Sequence, residues 1–428
     1  MMTIRIFVDN SGYHLLNMGD VAMLQVAIMR LRHLWPQADI NVITTAPERL
    51  VKYCPQTRPV SRSGRFPRLQ NWNTVGALSH LLPSSTHRYL RDFKTYVRVT
   101  KLSLVRRWVN FRLSRRGKDL KEIHNFLDLL LGADLVVATG GGFVTDAFES
   151  HGITVLKTLR TGKSGGAITA MLGQGLGPVT TPGLKKMLTR TVPALALISL
   201  REGRAGVQLL SEFDVADSRV MVTGDDAVEL AYQATPEELG NAIGVNVRVA
   251  SYSGVSASDT EIIRQSVIKA STSHNAPLIS VPISMHPSDS DTQSFQKLIG
   301  TSPDGHGEDL DSPERVLKQV GRCRIVITGS YHAGVFALSQ GISVVGLAKS
   351  AYYHDKFLGL AEQFGIGCHV VNLSDHNFSE KLAAAIERAW VEAPQVRVQL
   401  LEAAVRQIKL SQTAYNHLYS LVTESQAK

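Results

Sequence analysis

The chain has 428 residues, 44% apolar and 19% charged, a composition that fits a folded protein of two or three domains and excludes wholesale disorder. Glycine at 34 residues and proline at 16 exclude collagen-like and low-complexity classes. The formal charge of +9 is concentrated: residues 58–121 carry 16 Lys/Arg against 2 Asp/Glu, and the remainder carries 30 against 35.

In chain order, short apolar runs alternate with amphipathic helices, the pattern of parallel-sheet α/β domains. The first strand is expected over Thr3–Asp9, a helix over Gly19–Leu34 with apolar Val21, Met23, Leu24, Ile28 and Leu31, and a strand over Ile40–Thr44. The basic segment follows. Arg88, Arg91, Lys94, Arg98 and Lys101 recur at spacings of three and four, which puts them on one helical face. Leu90, Phe93, Val97, Leu102 and Leu104 supply an apolar complement. A solvated helical insertion fits this pattern, and so does a surface for an anionic membrane or a polyphosphate-bearing substrate. Nucleic acid is not expected, because aromatics are only 7% of the chain and no recognition-module motif occurs.

Beyond the insertion, Asp134–Thr139 is a near-continuous apolar run, as in a strand buried on both faces. Further strands are expected over Ala167–Gly173, Ala194–Leu200 and Arg219–Val222, the last leading into Thr223-Gly224-Asp225-Asp226. A polar stretch from Ala234 to Glu238 reads as a linker. A second set then begins: strands over Ala242–Val247, Pro277–Ile283, Arg324–Thr328 and Ser343–Leu347, helices over Ser258–Ser273, Ala333–Gln340 and His354–Phe364, and a helical tail. The expected fold is α/β, with two doubly wound Rossmann-like domains, 1–235 and 236–428, facing one another across a cleft. The basic helical insertion at about 58–121 belongs to the first.

Cys54, Cys323 and Cys368 are far apart and form no CxxC pair, so zinc ribbons and thioredoxin-type chemistry lack support. The sparse, odd count suits a reducing compartment. The first twelve residues read as a strand rather than a signal peptide, and no run approaches the roughly 18 apolar residues that span a bilayer. The expectation is a cytoplasmic protein, with peripheral contact to the inner face of the membrane through the basic segment as one of its readings.

Open α/β sheets bind ligands at the carboxyl ends of their strands, and several loops there carry suitable groups. Gly140, Gly141 and Gly142 can let backbone N–H groups approach an anion, or can serve a tight strand–helix crossing. Gly173 to Pro178 reads GxGxG and lacks the acidic residue of a dinucleotide fingerprint, and no GxxxxGK[ST] loop exists. Gly19 and Asp20 open the first helix. Asp20 either favours the helix dipole or faces the cleft, where it can orient or deprotonate a sugar hydroxyl. Arg201 and Arg248 each follow a strand and can offer a guanidinium fork to phosphate or carboxylate, or pair with a neighbouring acid. His332 opens a helix after a strand and suits either a structural role or acid–base work. Lys356 near the start of a later helix can be solvated or contact phosphate. His286, His354 and Asp355 have no regular ligand spacing, so no catalytic metal is expected.

Taken as a set, these pieces resemble the polysaccharide pyruvyl transferase family. The resemblance rests on Asn17-Met18-Gly19-Asp20-Val21-Ala22, the strand with Gly140-Gly141-Gly142, Gly173-Gln174-Gly175-Leu176-Gly177-Pro178, Ser199-Leu200-Arg201-Glu202, Gly244-Val245-Asn246-Val247-Arg248, and the stretch from Thr328 to Gly365. It implies a two-domain fold similar to GT-B glycosyltransferases. It implies transfer of a pyruvyl group from phosphoenolpyruvate, as donor substrate and with no other cofactor, onto two hydroxyls of a hexose, forming a ketal. The acceptor would be a saccharide or lipid-linked saccharide precursor of an exopolysaccharide or cell-wall polymer. His332 would carry acid–base chemistry, and Asp20 would orient the acceptor. Gly19, Gly141, Gly142, Gln174, Arg201, Asn246, Arg248, Ser330, Lys349 and Lys356 would bind substrate. The family commonly has arginine two residues before the histidine, where this chain has Ser330. A hydroxyl cannot replace that charge, so another cation, such as Lys349 or Arg204, must compensate, or the donor differs. The alternative on the same scaffold is a metal-independent glycosyltransferase using a nucleotide-sugar.

Overall fold

The computed structural model describes residues 3–65, 120–247, 255–300 and 310–426. Most of the basic segment lies outside the described residues, as does Arg248. Within them, strands and helices build two parallel sheets.

The first sheet contains β1 (Arg5–Asp9), β2 (Asp39–Thr44), β3 (Arg58–Ser61), β4 (Leu135–Ala138), β5 (Gly141–Val144), β6 (Ile168–Leu176), β7 (Leu197–Leu200) and β8 (Val220–Val222). The strand order is β3-β2-β1-β4-β6-β7-β8, with β5 also paired to β6. The second contains β9 (Ala242–Asn246), β10 (Leu278–Ser280), β13 (Cys323–Thr328), β14 (Ser343–Ala348) and β15 (Cys368–Asn372), ordered β10-β9-β13-β14-β15. A short antiparallel pair, β11 (Met285–His286) and β12 (Asp289–Ser290), lies between β10 and β13 in the chain.

Side chains alternate along each strand, so each sheet buries both faces. In β1, Ile6 and Val8 pack with Val21, Leu24 and Leu31 of helix Met18–Leu34. Phe7 points the other way, to Phe126, Val155 and Leu159. In β13, Ile325 and Ile327 meet Ile263 and Val267, while Val326 meets the opposite cluster.

The strands expected near Asp9, Thr44, Ala138, Asn246, Thr328 and Ala348 are present to within two residues at each end, as is the first helix. Others differ. The run expected over Ala167–Gly173 continues to Leu176, through an irregularity in register between Met171 and Gln174. The one expected over Ala194–Leu200 is a strand only from Leu197, because Val192–Ala194 forms a 3-10 turn with Pro193 inside it. The strand expected over Pro277–Ile283 is shorter, Leu278–Ser280. Beyond it Val281 still donates to the Val245 carbonyl, but the N–H groups of Ile283 and Ser284 turn to the buried Asp291 carboxylate, each at 2.8 Å. Arg58–Ser61, read as the start of the insertion, is the edge strand β3, where Pro59 costs no ladder bond on the open side.

The last helix, Phe378–Gln426, spans 49 residues. Leu382 and Ile386 pack under the second sheet, Leu400 and Ala404 against the cluster around helix Tyr331–Ser339, and Tyr415, Leu418 and Val422 under the first sheet. Pro394 cannot donate to the carbonyl of Trp390 four residues earlier, and Arg324 Nε takes that carbonyl at 3.1 Å. Among the described residues no helix is long and apolar enough to cross a membrane.

A buried polar cluster ties the last helix to the first. Arg30 pairs with Asp226 at 3.0 Å and, through Nε, with Glu229 at 2.8 Å. Ser411 and Tyr415 donate to the two oxygens of Asp226 at 2.6 and 2.8 Å. Replacing Arg30 with alanine would strand two buried carboxylates, a loss of about 3–5 kcal/mol. Tyr415→Phe removes one hydrogen bond to a charged group, a loss of about 1.5–3 kcal/mol. Thermal unfolding should therefore rank wild type, Tyr415→Phe and Arg30→Ala in falling order of midpoint. Burial pushes the thiols of Cys54 and Cys323 up to about 12. At pH 8 such a thiol is thiolate in roughly one molecule in ten thousand. Both should resist a thiol-titrating reagent in native protein and react once denaturant is added.

Candidate functional site

Each sheet reverses its strand order at one point, between β1 and β4 in the first and between β9 and β13 in the second. A crevice opens at the carboxyl ends of such strands. The two halves meet there through backbone as well as side chains. Met18 N–H donates to Ile283 at 2.8 Å, Met285 N–H donates to Leu16 at 2.7 Å, and Asn17 forms an antiparallel bridge with Ser284. Asn17 also caps the first helix, accepting from the N–H groups of Gly19 and Asp20 at 3.1 Å.

That capped end sits against His332. A methyl on Gly19 would lie 2.0 Å from His332 Cγ and 2.3 Å from Nδ1, so only glycine leaves room for the ring. His332 is in the first turn of helix Tyr331–Ser339 and is buried. Its Nε2 faces the buried Asp225 at 3.6 Å. Asp225 Oδ2 is also 3.6 Å from Nη1 of Arg201, and its Oδ1 accepts the Ala227 N–H at 2.9 Å. Three buried atoms here have no hydrogen-bond partner among the described residues: Arg201 Nε, Asp225 Oδ2 and His332 Nε2. Burial opposes ionisation of Asp225, but His332 and Arg201 outweigh it and hold the carboxyl below its ordinary pKa.

Arg201 is 2% exposed. Its guanidinium carbon stacks 4.0 Å from the centroid of the Tyr331 ring. Burial works against its charge, but Tyr331, Asp225, Tyr352 and Glu202 outweigh that and raise its pKa. Two glycines make its slot. A methyl on Gly175 would meet Arg201 Nε at 2.6 Å, and one on Gly142 would meet Nη2 at 2.6 Å. The same position on Gly142 lies 2.8 Å from Lys356 Nζ. Two cations thus converge on Gly142, one from each sheet's half of the chain. Lys356 lies 3.8 Å from the centre of the Tyr352 ring, and Tyr352 donates its hydroxyl to the Gly142 carbonyl at 2.7 Å. Helix Ala351–Phe364 is thereby pinned to β5.

The residues singled out in the sequence divide into two groups. Gly19, Gly142, Arg201, His332 and Lys356 converge at this cleft. Asp20, in the first helical turn, lies beside Gly12, half-buried. Gly141 packs against Ser11 and Phe143 and extends the same wall toward β1. The others are braced within the fold. Gln174 donates to the carbonyl of Thr139 at the end of β4. Asn246 donates to Val281 and to Asp291, each at 2.8 Å. Lys349 pairs with Asp259 at 3.1 Å and donates to Leu373 at 3.1 Å, and Arg204 pairs with Glu362. Ser330 precedes helix Tyr331–Ser339, and its N–H donates to Thr328 Oγ1 at 2.8 Å.

Asp225, Tyr331 and Tyr352 were not singled out from sequence. Asp225 had a usable signal, since Thr223-Gly224-Asp225-Asp226 directly follows β8. A second group also gathers at the β1–β4 switch. Tyr13 donates to Asp9 at 2.9 Å, Arg65 pairs with Asp9, and the His151 ring lies between Tyr13 and Phe143 at 5.2 and 4.8 Å. Burial lowers the pKa of His151.

A family model described as polysaccharide pyruvyl transferase matches residues 17–350. No curated protein matches the chain in sequence. Several solved structures share its fold. A putative UDP-N-acetylglucosamine 2-epimerase from Listeria monocytogenes has a TM-score of 0.55 at 11% identity, over 97% of this chain and 94% of that one. The UDP-GlcNAc 2-epimerase from Neisseria meningitidis, bound to UDP-GlcNAc, has a TM-score of 0.53 at 12% identity, over 97% and 99%. An Anabaena protein in complex with UDP and glucose has a TM-score of 0.51 at 11% identity, over 99% and 100%. At such identities the likeness shows the fold alone, the two-domain Rossmann-like arrangement of GT-B glycosyltransferases and related epimerases.

Gly19→Ala is the sharpest probe of the contact between the halves. Overpacking of this kind costs about 1–3 kcal/mol, and the His332 ring must move to admit the methyl. The variant should unfold at lower temperature than wild type and should lose most activity. A variant of unchanged activity would mean that the ring need not hold this position.

Proposed function

The chain belongs to the polysaccharide pyruvyl transferase family, a family of enzymes, and from that premise we propose that it transfers pyruvyl from phosphoenolpyruvate to a saccharide, closing a ketal on two hydroxyls. The observation that carries this reading is the meeting of Arg201 and Lys356 at Gly142, next to His332.

The donor carries a phosphate and a carboxylate. Arg201 can fork onto one anion, and Lys356 supplies a second charge as a flexible point cation. Arg248 is a third candidate on sequence grounds. Ser330 brings no charge to the position where the family commonly carries arginine, so a compensating cation would have to come from another element. Lys349 and Arg204 are tied to Asp259 and Glu362 and do not fill that role.

His332, protonated, gives its proton to C3 of the donor. The vinyl electron pair forms the new C–H bond and leaves C2 as an oxocarbenium-like electrophile. A sugar hydroxyl, oriented by Asp20, attacks C2 and returns its proton to the now neutral His332 ring. The second hydroxyl then displaces phosphate and closes the ring, its proton leaving on the departing phosphate. The products are the ketal and one phosphate, which leaves along the Arg201–Lys356 side. The acceptor in this reading is a saccharide or a lipid-linked saccharide precursor. A lipid-linked acceptor would bring the protein to the cytoplasmic face of the membrane, where the 58–121 segment supplies positive charge.

Calorimetric binding of phosphoenolpyruvate and release of phosphate with a panel of saccharide acceptors test this directly. Lys356→Gln should weaken phosphoenolpyruvate binding by roughly 10- to 150-fold, the equivalent of about 1.5–3 kcal/mol for a charge-assisted bond. His332→Gln should keep binding but slow ketal formation about 10²- to 10⁴-fold. The uncharged Ser330 favours one other reading, a nucleotide-sugar glycosyltransferase. Silence toward phosphoenolpyruvate together with saturable binding of a nucleotide-sugar would establish that reading instead.

A further inference from the structure

We propose that Asp225 is the positioning residue of His332: it accepts the Nε2 proton of the ring and leaves Nδ1 as the nitrogen that delivers a proton to the substrate. The proposal rests on the reading of the site as a pyruvyl transferase for its substrate, though not for its geometry.

Three features of the site carry it. The first is that Nε2 is the nitrogen turned toward Asp225, at 3.6 Å, and that neither Nε2 nor Asp225 Oδ2 has a hydrogen-bond partner among the described residues. A movement of under about 1 Å makes that contact a hydrogen bond of ordinary length. The second is that the opposite edge of the ring, with Cγ and Nδ1, faces Gly19 at the junction of the two halves. The third is that Asp225 cannot easily turn away. Its Oδ1 is held by the Ala227 N–H at 2.9 Å, and the next residue, Asp226, is fixed by Arg30, Ser411 and Tyr415. The groups facing Asp225 are His332, Arg201, Tyr331 and Asp226.

The proton inventory then closes. Before the reaction the ring is an imidazolium, with one proton on Nε2 held by Asp225 and one on Nδ1. The Nδ1 proton passes to C3, and its N–H electron pair stays on nitrogen. The ring becomes neutral with Nε2 still protonated, and Asp225 remains a carboxylate throughout. The fixed Nε2 proton selects one tautomer of the neutral ring after transfer.

Asp225→Asn gives an unusually clear test. The Ala227 N–H retains an oxygen at its side, so the new amide NH2 faces His332 Nε2. A donor there forces Nε2 to accept, and the ring must carry its proton on Nδ1. Nitrogen-15 spectra of the full chain labelled at histidine, with His332 assigned through His332→Gln, read the tautomer without any substrate. Wild type should show the neutral ring protonated on Nε2, and Asp225→Asn should show it protonated on Nδ1. In turnover, Asp225→Asn should lower kcat about 10²- to 10⁴-fold. The loss should vanish on a His332→Gln background, since a residue that acts through His332 has nothing to position there.

A wild-type ring protonated on Nδ1 would overturn the proposal. So would losses that multiply in the double variant, which would make Asp225 merely the ion-pair partner of Arg201. If Asp225→Asn does not fold, the wild-type tautomer decides. If phosphoenolpyruvate is not turned over by the wild type, the pyruvyl transfer reading falls, while the tautomer still tests the role of Asp225.

Discussion

Two adjacent carboxylates, Asp225 and Asp226, are buried where the two sheets meet, and much of the molecule is arranged to keep both side chains paired. A buried charge left unpaired costs several kcal/mol, so each needs its own cation. Asp225 turns to Arg201 and His332, and Asp226 turns to Arg30, Ser411 and Tyr415. The first set belongs to the cleft. The second joins the first helix to the last. Successive residues of one short loop therefore hold His332 and the long helix that braces both sheets. Gly224, just before them, has φ of +87°, and Gln407 of the last helix packs where its Cβ would stand. Only glycine fits both demands.

The same logic explains the glycines of the cleft. Gly19, Gly142 and Gly175 are positions where a histidine, arginine or lysine side chain lies against backbone. His332 occupies the space of a methyl at Gly19, and Arg201 occupies it at Gly175. At Gly142 the guanidinium and the Lys356 ammonium share it. These contacts bring groups of unequal origin close together without intervening side chains. They also make the cleft sensitive to the distance between halves, because His332 and Lys356 come from one half and Gly19, Arg201 and Gly142 from the other. An outward shift of about 1 Å would loosen the His332–Gly19 and Lys356–Gly142 contacts together, which is the scale on which proximity effects in catalysis are lost.

Periodicity made the parallel strands legible. The continuous apolar runs ending at Asp9, Ala138, Asn246 and Thr328 are buried on both faces, and nothing local competes with that pattern. Gly141–Val144 was not legible as a strand, because its first two residues have no side chain to alternate. The site was half legible. Positions at the end of a strand or the start of a helix drew attention to Gly19, Arg201, His332 and Gly142, and those converge. The family resemblance also brought in Gln174 and Asn246, whose amides stitch neighbouring strands and loops together. An amide at a strand end serves either purpose, and only the partner decides. Asp225 was passed over because its partners lie at 201 and 332, on elements brought near by the fold, and no spacing in the sequence encodes that meeting.

Ser330, where the family resemblance implies a guanidinium, is then a problem of charge more than of shape. A guanidinium at that position would have stood one residue before Tyr331, whose ring already stacks on Arg201. A second guanidinium there would crowd like charge around one buried site. Lys356 brings its charge from another helix, through an ammonium on a flexible stem that needs no fixed fork. Tyr352, four residues before it, pins that helix to the Gly142 carbonyl, so the stem starts from a fixed point. Coulomb attraction to an anion depends on distance and burial and not on which strand supplies the cation. Within the proposed reading the charge of the cleft then rests on Arg201 and Lys356, and both contacts need the backbone at Gly142 to stay bare.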